Sequence, residues 1–523
     1  MSKKIEKFKQ ILNFYKVLLI KNSIFYKLSL NKKGNIFDPS KFITDPWTGD
    51  FNIGKNMLDC TSLSDNLEFS IEMLEDFSIN GKEVSRYLAS FVWIRDVQSV
   101  GGNNSRKYVR NLISTFINRY RKTRKFWQNE EAWNCAIIGD RIVNWICSYS
   151  FFASGANDKF QKEVLSSIAE QFSHLANCYK AEFNPYARLM ALKAILFCLC
   201  TMKANQKGKI RRTIKEIKEV IQKCIKGGVF ENRSPVDHFH VFRTLLEIRF
   251  ISKINGIELP LDIFGDILSK LASVTRFLRL GDGNISLLSG DFPANSVFIP
   301  TRHMIDIALS IVNIKDHFEN LIGFEKLATK KATIIINTKP CEVKSKFNPI
   351  SEPGVNIFDF EASFGIEKLI NRSDVSIVFD GYRIKLGKNA EIFFQKSMKD
   401  SAVLFEGETH FSNKLFKFAL RREIEVSTDK FQIKGTDFVF LSNRLESYFR
   451  FVFNNKCNFR QINQKSILVS LLKSEYIFNV NSINMFEINI LQRSDINYPA
   501  IEVLSRSDNL KEIEFSWVIE HVK

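Results

Sequence analysis

The chain has 523 residues, of which 45% are hydrophobic and 25% charged, and its formal net charge is +18. This length predicts two or more domains, because a single core rarely grows so large, and the composition excludes a disordered chain. The basic balance favours an acidic partner such as nucleic acid, anionic lipid or anionic polysaccharide, with a charge that is merely solvated as the alternative.

Residues 1–80 predict an N-terminal arm around a larger body, since turn-rich aromatic pieces such as residues 45–49 follow a short basic helix. The apolar run at residues 17–20 lies between Lys16 and Lys21. It is too short for a secretory signal or for the roughly 18 residues of a membrane span, so we expect a cytoplasmic protein without an integral membrane segment. Residues 5–30 fit an amphipathic helix, either on a membrane surface or packed on the protein's own body.

The nine cysteines form no Cys-x-x-Cys pair and leave an odd count. Most lie in apolar helical patterns, where a free cysteine behaves as a small buried hydrophobe. Disulfides are therefore not expected, which indicates a reducing compartment. His238 and His240 come nearest to metal-ligand spacing, but on a helix they point roughly 200° apart, so the sequence predicts no metal and no cofactor.

Residues 81–315 show apolar side chains at the 3.6-residue period of helices. The predicted helices lie at residues 84–94, 109–117, 137–146, 164–176, 189–202, 210–225, 239–251 and 261–277. Their short connections predict antiparallel neighbours. Since no tight sequence repeat indicates a solenoid, we predict helical hairpins arranged in a ring.

From residue 316 onward, short runs rich in β-branched and aromatic residues replace the helical pattern. These runs lie at residues 333–337, 377–379, 392–394, 403–405, 438–440 and 451–453, with Asn, Asp, Gly and Ser turns between them. They predict an antiparallel β-sandwich. The predicted fold class is α+β and multidomain, with an arm at 1–80, a helical ring at 81–315 and a β-sandwich at 316–523.

Polar side chains concentrate where predicted helices begin and end, which is where sites on a rigid frame usually lie. A Gly-Gly turn at residues 227–228 leads into Arg-Ser-Pro and a histidine-bearing helix, and a Gly-Asp-Gly loop follows at residues 281–283. A further helix, within residues 133–145, carries an arginine and an Asn-Trp pair.

These patterns, in this order, resemble the heparinase II/III-like polysaccharide lyases, which join an α/α toroid to an antiparallel β-sandwich. The resemblance implies β-elimination on a uronic-acid polysaccharide, in which a cation neutralises the uronate carboxylate and proton-transfer groups each contribute about 10²–10⁴-fold. It implies Arg233 as neutraliser and His238 as base, with Tyr186 or Asp237 assisting. It also implies ligand contacts from side chains on the toroid helix and the later loop, namely Arg141, Asn144, Trp145, Asp282 and Asn284.

The sequence departs from the family's pattern at three places. The family's Tyr-His pair after Arg-Ser-Pro is Asp237-His238 here, and the histidine run that opens the sandwich is replaced by residues 352–359, which contain no histidine. A later Ala-His motif is replaced by residues 399–402. The alternative to a lyase is therefore a non-catalytic protein that binds anionic glycan or associates with the cell envelope. Because members of the family commonly act in the periplasm, the resemblance implies the periplasm or cell envelope as the alternative compartment.

Two basic runs, at residues 119–125 and 203–226, are typical of solvated helix faces. If they line one cleft, they attract an anionic chain with an affinity that salt weakens. No recognised nucleic-acid motif accompanies them, so nucleic acid ranks below polysaccharide as the partner. The sequence does not indicate an oligomeric state.

Overall fold

The computed structural model describes residues 11–17, 19, 26, 30, 36–62, 81–122, 132–231, 234–280, 283–286, 300–314, 323–338, 355–365, 370–379, 382–383, 391–399, 401–412, 417–441, 446–453, 457–471, 474–482, 485–491, 499–506 and 512–522. The chain divides into two compact units. The first comprises Met1–Glu231, Phe239–Ala272 and Asn295–Asn313, and the second Asn232–His238, Ser273–Ala294 and Ile314–Lys523. The domain boundaries at residues 80 and 315 stay predictions.

Most of the helical residues belong to the first unit. Their bounds are α1 Phe51–Ser62, α2 Gly81–Ser90, α3 Ile94–Val100, α4 Gly102–Lys122, α5 Cys135–Cys147, α6 Tyr149–Ala153, α7 Asp158–Cys178, α8 Pro185–Thr201, α9 Lys207–Cys224, α10 Pro235–Ile254, α11 Leu268–Phe277 and α12 Arg302–Ser310. A π-helical turn, Asp262–Ile267, leads into α11.

Asparagine side chains begin three of these helices. The Asn134 side chain accepts from the Ala136 N–H at 2.8 Å, and Asn157 and Asn184 cap α7 and α8 in the same way. A capping oxygen satisfies a backbone donor that the first turn cannot pair, and Pro185 at the start of α8 needs no such partner. These caps explain why the helices begin where they do.

Helix α8 is the centre of the first unit. It packs against α5 on one side and α9 on another, and nearly all of its residues are buried. Its close crossing with α5 requires Gly139, because a Cβ there would lie 2.7 Å from the Met190 carbonyl oxygen. A helix that is buried all round carries no polar stripe, which accounts for its almost wholly apolar sequence.

The predicted helix at residues 84–94 is divided in two. Phe91 adopts a φ of 56°, and a turn at residues 91–93 separates α2 from α3. This conformation is costly for a bulky side chain. Here the Phe91 ring is buried among other aromatic rings, with centroids 5.3 Å from those of Trp93, Phe116 and Trp145. Tertiary packing therefore overrides the local helical pattern.

The second unit contains two antiparallel sheets. A small hairpin of β1 Ile225–Lys226 and β2 Val229–Phe230 precedes them in the first unit. The strands of the two sheets are β3 Phe324–Ala328, β4 Thr333–Asn337, β5 Val355–Gly365, β6 Ile370–Phe379, β7 Tyr382–Arg383, β8 Glu391–Lys399, β9 Ala402–Ser412, β10 Lys417–Ser427, β11 Gln432–Leu441, β12 Glu446–Phe453, β13 Cys457–Asn463, β14 Ser466–Leu471, β15 Ser474–Ser482, β16 Phe486–Leu491, β17 Ala500–Arg506 and β18 Glu512–His521. One sheet has the order β13-β14-β15-β18-β11-β10-β9-β8, and the other β16-β17-β12-β6-β5-β4-β3, with β7 beside β6.

The two sheets share one apolar core. Phe449 of β12 stacks on Phe515 of β18 with ring centroids 4.2 Å apart, and Phe451 meets Trp517 at 5.2 Å. Buried and part-exposed residues alternate along β14 and β18, as expected when one face of a sheet covers a core. This packing of two sheets through their inner faces is a β-sandwich.

Candidate functional site

The Arg-Ser-Pro motif opens α10. The Ser234 hydroxyl accepts from the Asp237 N–H at 3.0 Å, and the Ser234 carbonyl accepts from the His238 N–H at 2.9 Å. Ser234 thus caps the helix, Pro235 occupies its first position, and Asp237 lies in the first turn, where the helix dipole favours a carboxylate. Asp237 and His238 are both buried. Arg233, the predicted neutraliser, lies outside the described residues.

The three predicted ligand contacts on α5 lie in the helical core. Arg141 is buried, donates from Nε to Gln171 at 2.6 Å, and donates from Nη1 to two backbone carbonyls. Its guanidinium carbon lies 4.5 Å from the ring centroid of Phe116. Asn144 donates to the Ser90 carbonyl at 2.9 Å, and Trp145 is fully buried. In this conformation they order the helices, and their roles as ligand contacts stay predictions.

Tyr186 and Asn284 also have local roles. Tyr186 lies in the first turn of α8, where its side chain is buried and its N–H donates to the Asn184 cap at 2.9 Å. Asn284 follows Gly283, whose φ is 81°, and its carbonyl accepts from the Leu280 N–H at 2.9 Å. This hydrogen bond closes a tight turn that Gly283 makes possible. Asp282, the other predicted contact in this loop, lies outside the described residues.

A buried ionic network, which the sequence analysis did not single out, lies at the centre of the helical unit. The Glu247 carboxylate on α10 accepts three hydrogen bonds of 2.8 Å, from Lys193 Nζ, Arg243 Nε and Trp47 Nε1. Lys193 donates also to Asp140 at 2.8 Å. All five side chains are buried.

A second ion pair joins this network to the N-terminal arm. Arg95 on α3 binds the Asp45 carboxylate through Nε, at 3.1 Å, and through Nη2. Trp47 follows Asp45 by two residues, and its ring centroid lies 5.7 Å from the guanidinium carbon of Arg243. Among the described residues, Arg95 Nη1 has no hydrogen-bond partner. Three basic and three acidic side chains thus form a charge-balanced network, hereafter the central network: Asp45, Arg95, Asp140, Lys193, Arg243 and Glu247.

Neighbouring charges favour the ionised forms of Glu247 and Lys193 in the central network. Burial alone would raise the pKa of Glu247, but the neighbouring Arg243, Lys193 and Arg95 outweigh it and lower that pKa to about 2. Burial would lower the pKa of Lys193, yet Asp140 and Glu247 raise it above its ordinary value. A group suited to proton transfer near neutral pH has a pKa close to 7. Glu247 and Lys193 are moved away from that value in opposite directions.

The arm segment at residues 45–50 closes over the central network. A Cβ on Gly49 would overlap the backbone carbonyl of Arg95, so only glycine permits this approach. The Asp50 N–H donates to Asp96 at 2.8 Å, and Thr48 Oγ1 lies 2.6 Å from His303 Nε2. These contacts hold the segment against α3 and α12.

The sequence did contain a signal for part of this network. Lys193 is the one charged residue in the last thirteen positions of α8, and Asp140 lies in the equally apolar α5. A charge in a helix that is apolar all round requires a buried partner. That requirement does not say which partner, because Glu247 is 54 residues from Lys193.

Metal-binding and membrane-spanning features were searched for over the same residues. Within the ranges that the structure describes, no group of three or more His, Cys, Asp or Glu side chains could hold a metal ion. No described helix is both long enough and apolar enough to cross a bilayer.

The chain was compared with protein families, curated proteins and solved structures. No family model matches it. The crystal structure of heparinase III is similar, with 12% identity and a TM-score of 0.52 over 84% of this chain and 78% of that chain. A mutant of the heparan sulfate lyase HepC from Pedobacter heparinus is similar at 13% identity and a TM-score of 0.44, over 85% and 78% of the two chains.

One curated protein is also similar in sequence. FtsZ-localized protein C of Caulobacter vibrioides is 24% identical over 204 residues, which is 39% of this chain and 34% of that protein. The match therefore spans about a third of the relative's length.

The likeness to heparinase III concerns the fold alone. It confirms the predicted class, an N-terminal α/α toroid followed by a C-terminal antiparallel β-sandwich. The chain shares this fold with heparinase III.

Proposed function

We propose that this protein uses the heparinase fold to bind an anionic, uronic-acid polysaccharide and does not cleave it. The observation that carries the proposal is the central network. Its charges are balanced, the pKa values of Glu247 and Lys193 are shifted away from neutrality, and Trp47 of the same chain donates a hydrogen bond to Glu247. A lyase needs the opposite, an accessible group that exchanges a proton near neutral pH. The replacement of the family's sandwich histidines by residues 352–359 supports the same conclusion.

The solvent face of α9 is the surface we assign to the polysaccharide. The opposite, apolar face of this helix is buried, and the helix as a whole carries seven basic and two acidic side chains. Lys207, Arg211 and Lys215 are exposed and recur at four-residue spacing, so they lie on one side of the helix over about 12 Å. A line of positive charge of this kind suits the repeated carboxylates of an extended polyanion.

A binding measurement with salt titration tests this surface. Replacement of Lys207, Arg211 and Lys215 by Gln is expected to weaken binding of a uronate polysaccharide roughly tenfold, because each exposed charge pair contributes about 0.2–1 kcal/mol. The matched control replaces three exposed helical lysines of the same unit, Lys159, Lys162 and Lys270, by Gln. The two triple variants then carry the same net charge. Equal losses in both variants would show that only overall charge matters and would remove α9 as the site.

The elimination reaction is the outcome that would replace this proposal. In that case His238 would be the base, Arg233 the neutraliser of the carboxylate, and Tyr186 or Asp237 an assisting group. Because His238, Asp237 and Tyr186 are buried, the residues around each of them would then have to move before a sugar can reach it.

A second candidate function is association with the cell-division apparatus. The sequence likeness to FtsZ-localized protein C favours it. It suits the cytoplasmic location expected from the sequence, whereas a periplasmic or envelope location suits a glycan ligand. Co-sedimentation of the purified protein with assembled FtsZ tests the candidate: retention in the pellet only when FtsZ is assembled supports it, and equal amounts in the supernatant with and without FtsZ contradict it.

A further inference from the structure

Strand β8, Glu391–Lys399, ends one of the two sheets. It pairs with β9 along its whole length, from Glu391 opposite His410 to Lys399 opposite Ala402. In the part of the chain that the structure describes, no strand pairs with its other edge. A nine-residue strand presents about 30 Å of unpaired backbone donors and acceptors, which is a template for a further strand.

The edge strand carries large apolar side chains that solvent reaches. Phe393 is 59% exposed, Phe394 45% and Met398 78%. Lys396 lies opposite Phe405, whose fully buried side chain belongs to the core, so Phe394, Lys396 and Met398 lie on the inner face of the sheet. Phe394 and Met398 therefore extend the apolar inner layer to a rim at which the described sheet stops.

The sequence of β8 is complementary to itself when the strand is reversed. We propose that β8 pairs antiparallel with β8 of a second copy, about a two-fold axis through Gln395, and joins two sandwiches into one continuous sheet. In that register the backbone position of Glu391 is opposite that of Lys399 of the second copy at both ends, and the position of Ile392 is opposite that of Met398. Opposite charges and apolar pairs directly across two strands both stabilise the pairing.

Neighbouring registers lack this complementarity. A shift of two residues in one direction places Lys396 opposite Lys396 of the second copy, and in the other direction it leaves Lys399 without Glu391. A shift of one residue would turn the inner layer of one copy to the outer face of the other. The register through Gln395 is thus the one that satisfies both the charges and the apolar layer.

An inward-pointing lysine often protects an edge strand from pairing. The Lys396 ammonium, however, donates to the Lys326 carbonyl of its own chain at 2.8 Å. The ammonium is therefore directed towards its own chain, and the methylene stem is left to pack against Phe394 of the second copy. The two-fold pairing is compatible with this lysine.

A charge-exchange series on the full chain tests the register by sedimentation equilibrium. Wild type is expected to dimerise, Glu391→Lys and Lys399→Glu are each expected to raise the dissociation constant at least tenfold, and the double variant is expected to restore it. Each single variant creates two like-charge pairs across the two-fold axis, whereas the double variant recreates two opposite-charge pairs. A monomeric wild type, or a double variant as weak as the singles, would overturn the proposal.

A cysteine substitution provides a second measurement that does not alter charge. Gln395→Cys places two thiols opposite each other across the axis, at a strand separation within disulfide range. Mild oxidation is expected to yield a covalent dimer, and Asn458→Cys, an exposed position on the edge strand β13 at the far side of the same sheet, is expected not to. A covalent dimer from Asn458→Cys alone would place the contact at the wrong edge and overturn the assignment.

Discussion

Replacement of Glu247 by Gln removes one charge from the central network at nearly constant volume. Three cations, Arg95, Lys193 and Arg243, would then face two anions, and the surplus charge would be buried. Breaking a buried ion pair in this way typically costs about 3–5 kcal/mol.

The pKa of Glu247 gives an independent magnitude. Its fall from 4.5 to about 2 corresponds to roughly 3 kcal/mol of stabilisation, at about 1.4 kcal/mol per pH unit. Because the folded pKa is lowered, this stabilisation is complete above pH 4.5 and is lost as the pH falls towards 2. The two magnitudes agree, and they predict a lower melting temperature at pH 7 by on the order of 10 °C.

Thermal unfolding followed by the helical circular dichroism signal measures the effect. Wild type and Glu247→Gln should differ strongly at pH 7 and should converge between pH 4.5 and 2. The control is Lys218→Gln, which breaks the exposed pair with Asp262 and should leave the melting temperature unchanged. A Glu247→Gln protein as stable as wild type at pH 7, or a difference that does not depend on pH, would refute the view that the network is a balanced set of buried charges.

Three further predictions concern residues outside the network. Gly435→Ala should destabilise the sandwich by roughly 1–3 kcal/mol in thermal unfolding, because the added Cβ would overlap the Trp517 ring. Gly208→Ala is the control and should be neutral or slightly stabilising, because a Cβ there would have no heavy atom within 4 Å. Arg141→Lys should lower the melting temperature, because a lysine cannot replace the guanidinium's bonds to Gln171 and two carbonyls, and a binding isotherm on the folded protein should show unchanged polysaccharide affinity. At pH 8 a thiol reagent should modify at most two of the nine cysteines before unfolding, since seven are buried and burial raises the pKa of Cys200 and Cys224 to about 12; rapid modification of more than two would contradict this.

Periodicity alone predicted both halves of the fold. The apolar runs at residues 333–337, 403–405 and 451–453 each lie inside a strand, and the helical pattern at residues 189–202 matches α8 to within a few residues. Such patterns report which side of an element is buried, and that is a local property of the sequence. The division at Phe91 was not predictable, because the rings that favour its φ of 56° come from distant helices.

The candidate site depended on contacts that are far apart in the sequence. Trp47 and Glu247 are separated by 200 residues, and no local pattern reports that they meet. The family resemblance pointed instead to Arg141, Asn144 and Trp145, whose identities fit a motif but whose burial no motif records. The roles proposed for all nine site residues stay predictions: Arg141, Asn144, Trp145, Tyr186, Arg233, Asp237, His238, Asp282 and Asn284.

An ultraviolet assay for unsaturated uronate product tests the central claim most directly. Purified protein would be incubated with heparan, heparin, chondroitin, hyaluronan and alginate, and binding to each would be measured on the same samples. The account predicts binding that salt and the substitutions at Lys207, Arg211 and Lys215 weaken, with no absorbing product from any of the five. A product that forms with wild type and disappears in His238→Ala would contradict it and would establish a lyase.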